Sequence, residues 1–338
     1  MAAPMYDVFN GDADGICALH QLRLSDPCPD SHLVTGVKRD IRLLARLKDC
    51  RQCRITVLDI SLDRNRTDLI ALLERNNRIV YIDHHFSGEI PPHPNLETHI
   101  DPEPQTCTSL IVNQMLEGRY RSWAVVGAFG DNLDEAALKA ADPLHLAGKD
   151  LDRLRETGIL LNYNGYGAAL DDLFFPPDKL YQEVRSYSDP LDFHRNSPAL
   201  RILQKGYQED LARAESARPV QENASGRIFL LPGEPWARRV AGVFANRLAR
   251  EKKHLAHALI MPNQDGSLRI SVRAPLHHRA GADTLCRQFP TGGGRAAAAG
   301  INQLPPGMQK QFMTAFTQQF STKCSLCSVP IRVPGHPG

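Results

Sequence analysis

The first part of the chain alternates short apolar strands with amphipathic helices, and this alternation restricts the folds open to it. Strands are predicted at residues 6–10, 33–37, 54–60 and 78–82, with helices starting at residue 16 and spanning 41–47 and 62–74. Strands that alternate with helices form a parallel sheet covered on both faces. We therefore predict a doubly wound α/β domain, whose ligands bind outside the carboxyl ends of the strands.

Carboxylate and imidazole side chains stand at or just past these predicted strand ends: Asp12, Asp14, Asp59, Asp83, His84 and His85. The carboxyl ends of parallel strands meet at one edge of a sheet, so these side chains are expected to converge. Asp131 follows the apolar, small-residue segment 124–130 and is a further candidate. A single aspartate in such a position is more often a helix cap or turn residue than part of a site. Their coincidence at several strand ends indicates a site.

Aspartate and histidine together supply the oxygen and nitrogen donors that divalent first-row cations accept. Asp12 and Asp14 are one residue apart and are able to reach different ions, with Asp59 as a bridge between them. That arrangement is typical of a two-metal phosphoryl-transfer centre. A single metal or a structural calcium ion is the alternative, although the histidines favour manganese over calcium.

Composition restricts the partners. With 338 residues the chain is long enough for two domains, and 42% hydrophobic and 23% charged residues are ordinary for a globular protein. A net charge of +2 without a basic stripe argues against long nucleic acid and leaves a small anionic ligand open. The N-terminus shows no secretion signal, and the apolar runs are too short to span a bilayer. A cytoplasmic location is expected.

The cysteine pattern does not indicate a disulfide framework. Cys50/Cys53 and Cys324/Cys327 each have the spacing of half a zinc site. The two pairs lie near opposite ends of the sequence and neither has a close second half, so joint zinc binding is not favoured. Their role is left open.

A second strand and helix alternation follows a long helical region. Residues 151–218 are predicted mostly helical, apart from a loop at 162–167, and residues 218–226 are interpreted as a linker or turn. The predicted domains are a catalytic domain at 1–190, a connecting helix and linker at 191–224, a smaller α/β domain at 225–322 and a disordered tail at 323–338.

The second domain carries candidate anion-binding residues. Gly292, Gly293 and Gly294 allow backbone amides to approach an anion, and a helix start is expected after them. Arg295 and Arg273 are candidate phosphate ligands. The alternatives are that the run of three glycines is a plain turn and that Arg273 is a surface charge. Residues 38–40 and 277–279 are interpreted as solvated loop residues, with substrate binding as the alternative.

These segments together resemble a known family. Asn10-Gly11-Asp12-Ala13-Asp14-Gly15, Asp59, Asp83-His84-His85 and Asp131 resemble the four successive motifs of the DHH phosphoesterase superfamily. The segment from Gly292 to Gly300 resembles the glycine-rich signature of the associated C-terminal domain. The resemblance implies two α/β domains with the active site in the cleft between them. It also implies two divalent ions, manganese first and magnesium as the alternative.

The resemblance also implies roles for the metal ligands. Asp12 binds one ion, Asp14 binds the other, and Asp59 binds both. His84 and Asp131 complete the shell of the second ion.

Other positions are implied to act on the substrate or to differ from the family pattern. His85 faces the scissile phosphate, and Asp83 orients the neighbouring imidazoles. Val8 and Asn10 stand where similar proteins carry a histidine and an aspartate, so either the first metal site is weak or Asn10 binds through its carbonyl oxygen. Arg295 stands where the glycine signature usually has histidine, and arginine is expected to clamp a phosphate rather than transfer a proton.

The function expected from the sequence is a manganese-dependent phosphoesterase that uses metal-activated water. Its expected substrate is a short oligonucleotide, a linear or cyclic dinucleotide, or a nucleotide similar to pAp. A pyrophosphatase or polyphosphatase is one alternative, and a non-catalytic sensor of nucleotides or polyphosphate is another. Neither long nucleic acid nor a membrane is expected as a partner, and a homodimer is left open.

Overall fold

The computed structural model describes residues 3–321. The Cys324/Cys327 pair and the predicted tail therefore lie outside the described residues. The described residues divide into two compact units, the first comprising residues 3–211 and 238–240 and the second residues 212–237 and 241–321.

The first unit is built on a five-stranded sheet in the order β2-β1-β3-β4-β5, and every strand pair in it is parallel. The strands are β1 (Met5–Phe9), β2 (His32–Val34), β3 (Arg54–Leu58), β4 (Arg78–Asp83) and β5 (Leu96–Ile100). The strand order reverses direction next to β1, and crevices at such a switch point are where doubly wound sheets bind ligands. The predicted parallel α/β architecture is confirmed.

Helices follow nearly every strand of this sheet. They are α1 (Ala13–Ser25), α2 (Leu62–Leu73), α3 (Thr108–Met115), α4 (Arg121–Gly130), α5 (Asp134–Ala141), α6 (Gly148–Gly165), α7 (Pro177–Val184), α8 (Pro190–Asn196) and α9 (Pro198–Ser216). Short 3-10 helices lie at Leu43–Leu47, Asp142–Leu144 and Leu170–Asp172. The last five residues of α9 belong to the second unit.

Neighbouring residues of each strand point into different cores because side chains alternate across a strand. Phe9 and Leu58 join a core with Trp123 of α4, whereas Val8 and Val57 join a separate core on the other face. All of these side chains are almost completely buried. Burial on both faces explains why the strand sequences are nearly continuous apolar runs.

The second unit contains a six-stranded mixed sheet in the order β10-β11-β9-β8-β7-β6. Its strands are β6 (Pro219–Asn223), β7 (Gly226–Leu230), β8 (Ala256–Pro262), β9 (Leu268–Arg273), β10 (Gly292–Gly294) and β11 (Ala298–Leu304). Its helices are α10 (Pro235–Glu251), α11 (Ala282–Cys286) and α12 (Gln309–Phe320), with a 3-10 helix at Pro306–Met308. Only β7 and β8 pair in parallel within the described part of this unit. Phe312 and Phe316 of α12 are buried in the core of this unit.

Two sequence interpretations of this unit were wrong. The segment interpreted as a linker or turn contains a turn at residues 224–225, but most of it is β6, which pairs antiparallel with β7. This strand is polar because it lies at the edge of the sheet, where its side chains stay largely exposed. The glycine run is not followed by a helix start. It forms β10, which pairs with β11, and the apolar face of that alanine-rich strand packs on the core of the second unit.

Two interpretations of the first unit also need correction. The helix predicted at 41–47 is only a 3-10 helix over Leu43–Leu47, and the loop predicted from residue 162 starts after Gly165 because α6 continues to that residue. The end of α6 is buried against the loop after β1, and this packing extends the helix beyond what its own asparagines and glycine favour.

No helix within residues 3–321 is both long enough and apolar enough to cross a membrane. The cysteines in the same range are all unpaired thiols.

The buried His20 of α1 makes the stability of the first unit depend on pH. Burial lowers the pKa of His20 to about 4. The Nε2–H of His20 donates a hydrogen bond to the carbonyl of Tyr187 at 2.8 Å, which raises this pKa but does not outweigh burial. The unfolded chain binds the proton first, so stability is complete above the ordinary pKa of 6.5 and falls as the pH drops towards about 4.

We expect His20 to contribute a stability loss of about 1.4 kcal/mol per pH unit within that window. The measurement is urea unfolding followed by circular dichroism at several pH values, for the unmodified protein and for His20→Gln. The variant should show a shallower pH dependence, whereas the exposed-site control His145→Asn should keep the original slope. Equal slopes in all three proteins would contradict the assignment.

Candidate metal centre

Asp59, His84 and His85 converge at the carboxyl ends of β3 and β4. Their candidate ligand atoms all lie within 4.8 Å of one another, and the Nε2 of His84 is 3.4 Å from the Oδ1 of Asp59. Two atoms that bind one ion at about 2.1 Å each are separated by about 3–4 Å. Asp59 directly follows β3 and has a φ of 59°. Aspartate tolerates this left-handed backbone better than most residues do.

Both imidazoles are oriented through their Nδ1 atoms. The Nδ1–H of His84 donates to the carbonyl of Thr106 at 3.0 Å, and that of His85 donates to Oδ1 of the buried Asp83 at 2.7 Å. Each Nε2 is then left with a lone pair for a ligand. Burial lowers the pKa of His85, but the hydrogen bond to Asp83 and the charge of that carboxylate outweigh burial and raise this pKa.

Asp131 reaches the same place from the end of α4. Its Oδ2 lies 3.8 Å from the Nε2 of His84. The small-residue segment before it lets α4 approach its neighbours closely. A Cβ atom on Gly127 would lie 2.2 Å from the Ser109 hydroxyl, and one on Gly130 would lie 2.2 Å from the Cβ of Ala13. Glycine at these positions therefore allows the helix to deliver Asp131.

Asp14 is held by the first turn of α3. Its Oδ2 accepts from the backbone N–H of Thr108 and its Oδ1 from that of Ser109, both at 2.8 Å, and its side chain is completely buried. The otherwise unpaired amides at a helix N-terminus stabilise a carboxylate in this position. The sequence did not indicate this role because α3 was not predicted. The role of Asp14 as a metal ligand stays a prediction.

Asp12 is paired with a lysine that the sequence analysis interpreted as solvated. Its Oδ1 caps α1 by accepting from the N–H of Gly15 at 3.1 Å, and its Oδ2 is 2.5 Å from the Nζ of Lys38. The same Nζ lies 3.3 Å from Oδ1 of Asp131 and 3.1 Å from Oδ1 of Asn162. Lys38 comes soon after β2, at the same sheet edge as the other candidates, and this position was the signal that could have identified it.

Asn10 lies beside this pair. Its Oδ1 is buried and accepts no hydrogen bond from the described residues, while its Nδ2 contacts the carbonyl of Lys38 at a long 3.5 Å. An acceptor left unpaired in the interior is costly, so it fits a ligand that donates or a cation. The expected ligand role of Asn10 stays a prediction.

The residues expected to bind phosphate lie in the second unit. On β9, Arg273 donates from Nε to Oδ1 of Asn246 at 2.7 Å and from Nη1 to the Ser271 hydroxyl at 3.0 Å. Arg295 is exposed in the turn between β10 and β11. A Cβ on Gly293 would meet no atom within 4 Å, and Gly294 has a φ of 134° that favours glycine. The backbone at Gly293 is therefore open to an approaching ligand.

Several solved structures share this arrangement of elements. A DHH domain described as belonging to a family of ribosomal proteins is 12% identical, with a TM-score of 0.62 over 94% of this chain and 86% of that one. Exonuclease RecJ bound to manganese is 16% identical, with a TM-score of 0.60 over 94% and 90% of the two chains. A pGpG-specific phosphodiesterase from Vibrio cholerae is 14% identical, with a TM-score of 0.52 over 93% and 98%.

The chain has the DHH fold. No protein-family model matches the sequence, and no curated protein matches it. Within this DHH fold, the Asp-His-His segment is the end of β4 and the residues directly after it.

The donor set of this DHH fold fits one divalent ion well. Asp59, His84 and Asp131 offer mixed oxygen and nitrogen donors, and His85 directs a further nitrogen to the same place. Burial first, and then the neighbouring carboxylates, raise the pKa of Asp59 well above its usual value. A bound cation would reduce the repulsion between Asp59 and these neighbouring carboxylates. The ammonium of Lys38 lies beside Asp12, where the resemblance implies an ion.

Replacing Asp14 with asparagine should destabilise the protein. Asparagine has one carbonyl oxygen for two backbone donors, so one buried N–H would face an amide NH2 group, at a cost of about 1–3 kcal/mol. Urea unfolding in metal-free buffer measures the effect. The matched control is Asp189→Asn, which replaces the exposed cap of α8 and should change stability by less than about 0.5 kcal/mol. A stable Asp14→Asn protein would mean that relief of charge repulsion dominates instead.

Proposed function

We propose that this protein is a divalent-metal-dependent phosphoesterase that hydrolyses small phosphorylated substrates. The observation that carries the proposal is the convergence of Asp59, His84 and His85 at the edge of a DHH-fold sheet. Two proteins of the same fold, exonuclease RecJ bound to manganese and a pGpG-specific phosphodiesterase, support phosphodiester chemistry. The proposed ion is manganese, with magnesium as the alternative.

The chemistry follows from the donors and their orientation. A divalent ion held by Asp59, His84 and Asp131 would polarise a phosphoryl oxygen and make a water molecule more acidic. The Nδ1 of His85 is bonded to Asp83, so its Nε2 is available to the substrate. When this Nε2 carries a proton, it would donate a hydrogen bond to a phosphoryl oxygen and stabilise charge that develops there. Asp83 would act by fixing the orientation of His85 rather than by touching the substrate.

The substrate class follows from charge and from the second unit. The low net charge of +2 favours a small anion over a long strand. We propose that Arg273, Arg295 and the backbone of Gly292, Gly293 and Gly294 bind its phosphate. A short oligonucleotide, a linear or cyclic dinucleotide, or a nucleotide similar to pAp would satisfy this chemistry.

Replacing Asp59 with asparagine should abolish turnover. Asparagine tolerates the left-handed backbone of this position, so the change mainly removes the charge that binds the ion. Purified protein with manganese is offered a linear dinucleotide, a cyclic dinucleotide, pAp and pyrophosphate, and the products are separated by chromatography. Asp59→Asn should lower kcat/KM by at least about 100-fold, whereas the exposed control Asp30→Asn should leave it unchanged.

Two other outcomes of this assay would reject the phosphoesterase and identify a different function. Cleavage of pyrophosphate without cleavage of any ester would identify a phosphoanhydride hydrolase. Tight nucleotide binding without turnover, by protein shown to contain metal, would identify a nucleotide sensor.

Replacing Arg295 with glutamine should weaken substrate binding and leave the chemical step largely intact. A charge-assisted contact to phosphate is worth enough to raise KM by about 10-fold or more when it is removed. Steady-state kinetics on the preferred substrate measures this. The matched control is Arg287→Gln, another exposed arginine of the second unit whose charge is paired with Asp283. An equal change in both variants would indicate a general electrostatic effect and would reject a specific phosphate clamp.

A further inference from the structure

The ammonium of Lys38 is surrounded by three side-chain oxygens, and one of them belongs to Asp12, which is expected to bind one of two metal ions. Its three N–H groups face three acceptors: Oδ2 of Asp12 at 2.5 Å, Oδ1 of Asp131 at 3.3 Å and Oδ1 of Asn162 at 3.1 Å. A lysine ammonium has three donors, so this set satisfies it completely. The ring of Tyr166 adds a cation–π contact, with its centroid 5.6 Å from Nζ.

The backbone fixes Lys38 in this position. Its N–H donates to the carbonyl of Gly165 at 2.9 Å, at the end of α6. A Cβ on Gly165 would lie 3.2 Å from the Cβ of Asp12, and one on Gly11 would lie 2.0 Å from the carbonyl oxygen of Gly36. The loops after β1 and β2 and the end of α6 are therefore packed against one another. The backbone of Lys38 lies within this packing, and its side chain extends from there to the carboxylates of Asp12 and Asp131.

Both oxygens of the Asp12 carboxylate already accept a hydrogen bond. Its Oδ1 accepts from the N–H of Gly15, and its Oδ2 accepts from Lys38. A divalent ion bound to the same Oδ2 would lie next to the ammonium, and two adjacent cations in a site of low polarity repel strongly. Asp12 is almost completely buried and the side chain of Lys38 is 23% exposed, so little water is present to screen that repulsion.

We propose that the ammonium of Lys38 takes the place of one ion of a two-metal centre, so that this protein binds a single divalent ion at Asp59, His84 and Asp131. The inference rests on the proposed function for the presence of a metal, and its test counts bound ions, with turnover used only to separate the two proposals. Asp131 lies between the two positive charges, with Oδ1 towards Lys38 and Oδ2 towards His84. Lys38 is thus a positioning residue that holds Asp12 and Asp131 in the way an ion would.

The experiment counts manganese ions per chain. Metal-free protein is titrated with Mn2+, free Mn2+ is measured by its EPR signal, and calorimetry gives the affinities. The unmodified protein should bind one ion. Lys38→Ala, which frees the oxygens of Asp12 and Asn162, should bind a second, weaker ion and show the EPR signature of a coupled pair. Lys38→Arg and the exposed neighbour control Arg39→Ala should each bind one ion.

A second comparison keeps the proposal testable if Lys38→Ala does not fold. Asp12→Asn should change the Mn2+ affinity by less than about threefold, whereas Asp59→Asn should lower it by about 100-fold. Two ions in the unmodified protein, one ion in a folded Lys38→Ala, or equal losses in the two aspartate variants would each overturn the proposal. Two ions together with turnover would reject the role of Lys38 and keep the phosphoesterase. One ion without turnover would keep the role of Lys38 and reject the phosphoesterase.

Discussion

The crowding of buried carboxylates at one edge of a parallel sheet is the constraint on which the candidate site depends. Charged groups removed from water are stable only when opposite charges or oriented dipoles surround them. Each carboxylate has a different compensating group. The N-terminal amides of α3 hold Asp14, the ammonium of Lys38 holds Asp12, and His85 holds Asp83. Burial and the neighbouring carboxylates raise the pKa of Asp59 well above its usual value, so a bound cation would stabilise its charged form.

The packing around the site follows from the need to bring these groups together. Close approaches at Gly11, Gly127 and Gly130 leave no room for a side chain, and the approach at Gly165 is tight, so loops and helices from distant parts of the sequence reach one place. In this protein, backbone contacts between loops and helices position the site residues together with the strand ends. Proteins that hold functional groups on packed backbone keep them oriented before a ligand arrives, which is the condition for electrostatic stabilisation of a reacting phosphate.

Sequence patterns predicted secondary structure correctly where burial determines the residue types. They failed where contacts between distant segments determine the structure. The parallel sheet was predictable because its strands are buried on both faces and are therefore apolar runs. The strand β6 was missed because a polar edge strand has no such pattern. The glycine run was expected to lead into a helix, but pairing between β10 and β11 overrides local preference.

The sequence by itself determined which residues stand at the carboxyl ends of the strands, because strand period and apolar runs fix where each strand stops. It thereby identified Asp12, Asp59 and the Asp83-His84-His85 segment as candidates for one site. Only the tertiary structure decided how their charges are balanced. The contact between Lys38 and Asp12 joins residues 26 positions apart, and that between Asp14 and the start of α3 joins residues 94 apart. Such contacts depend on how loops pack, and local sequence carries no record of that packing.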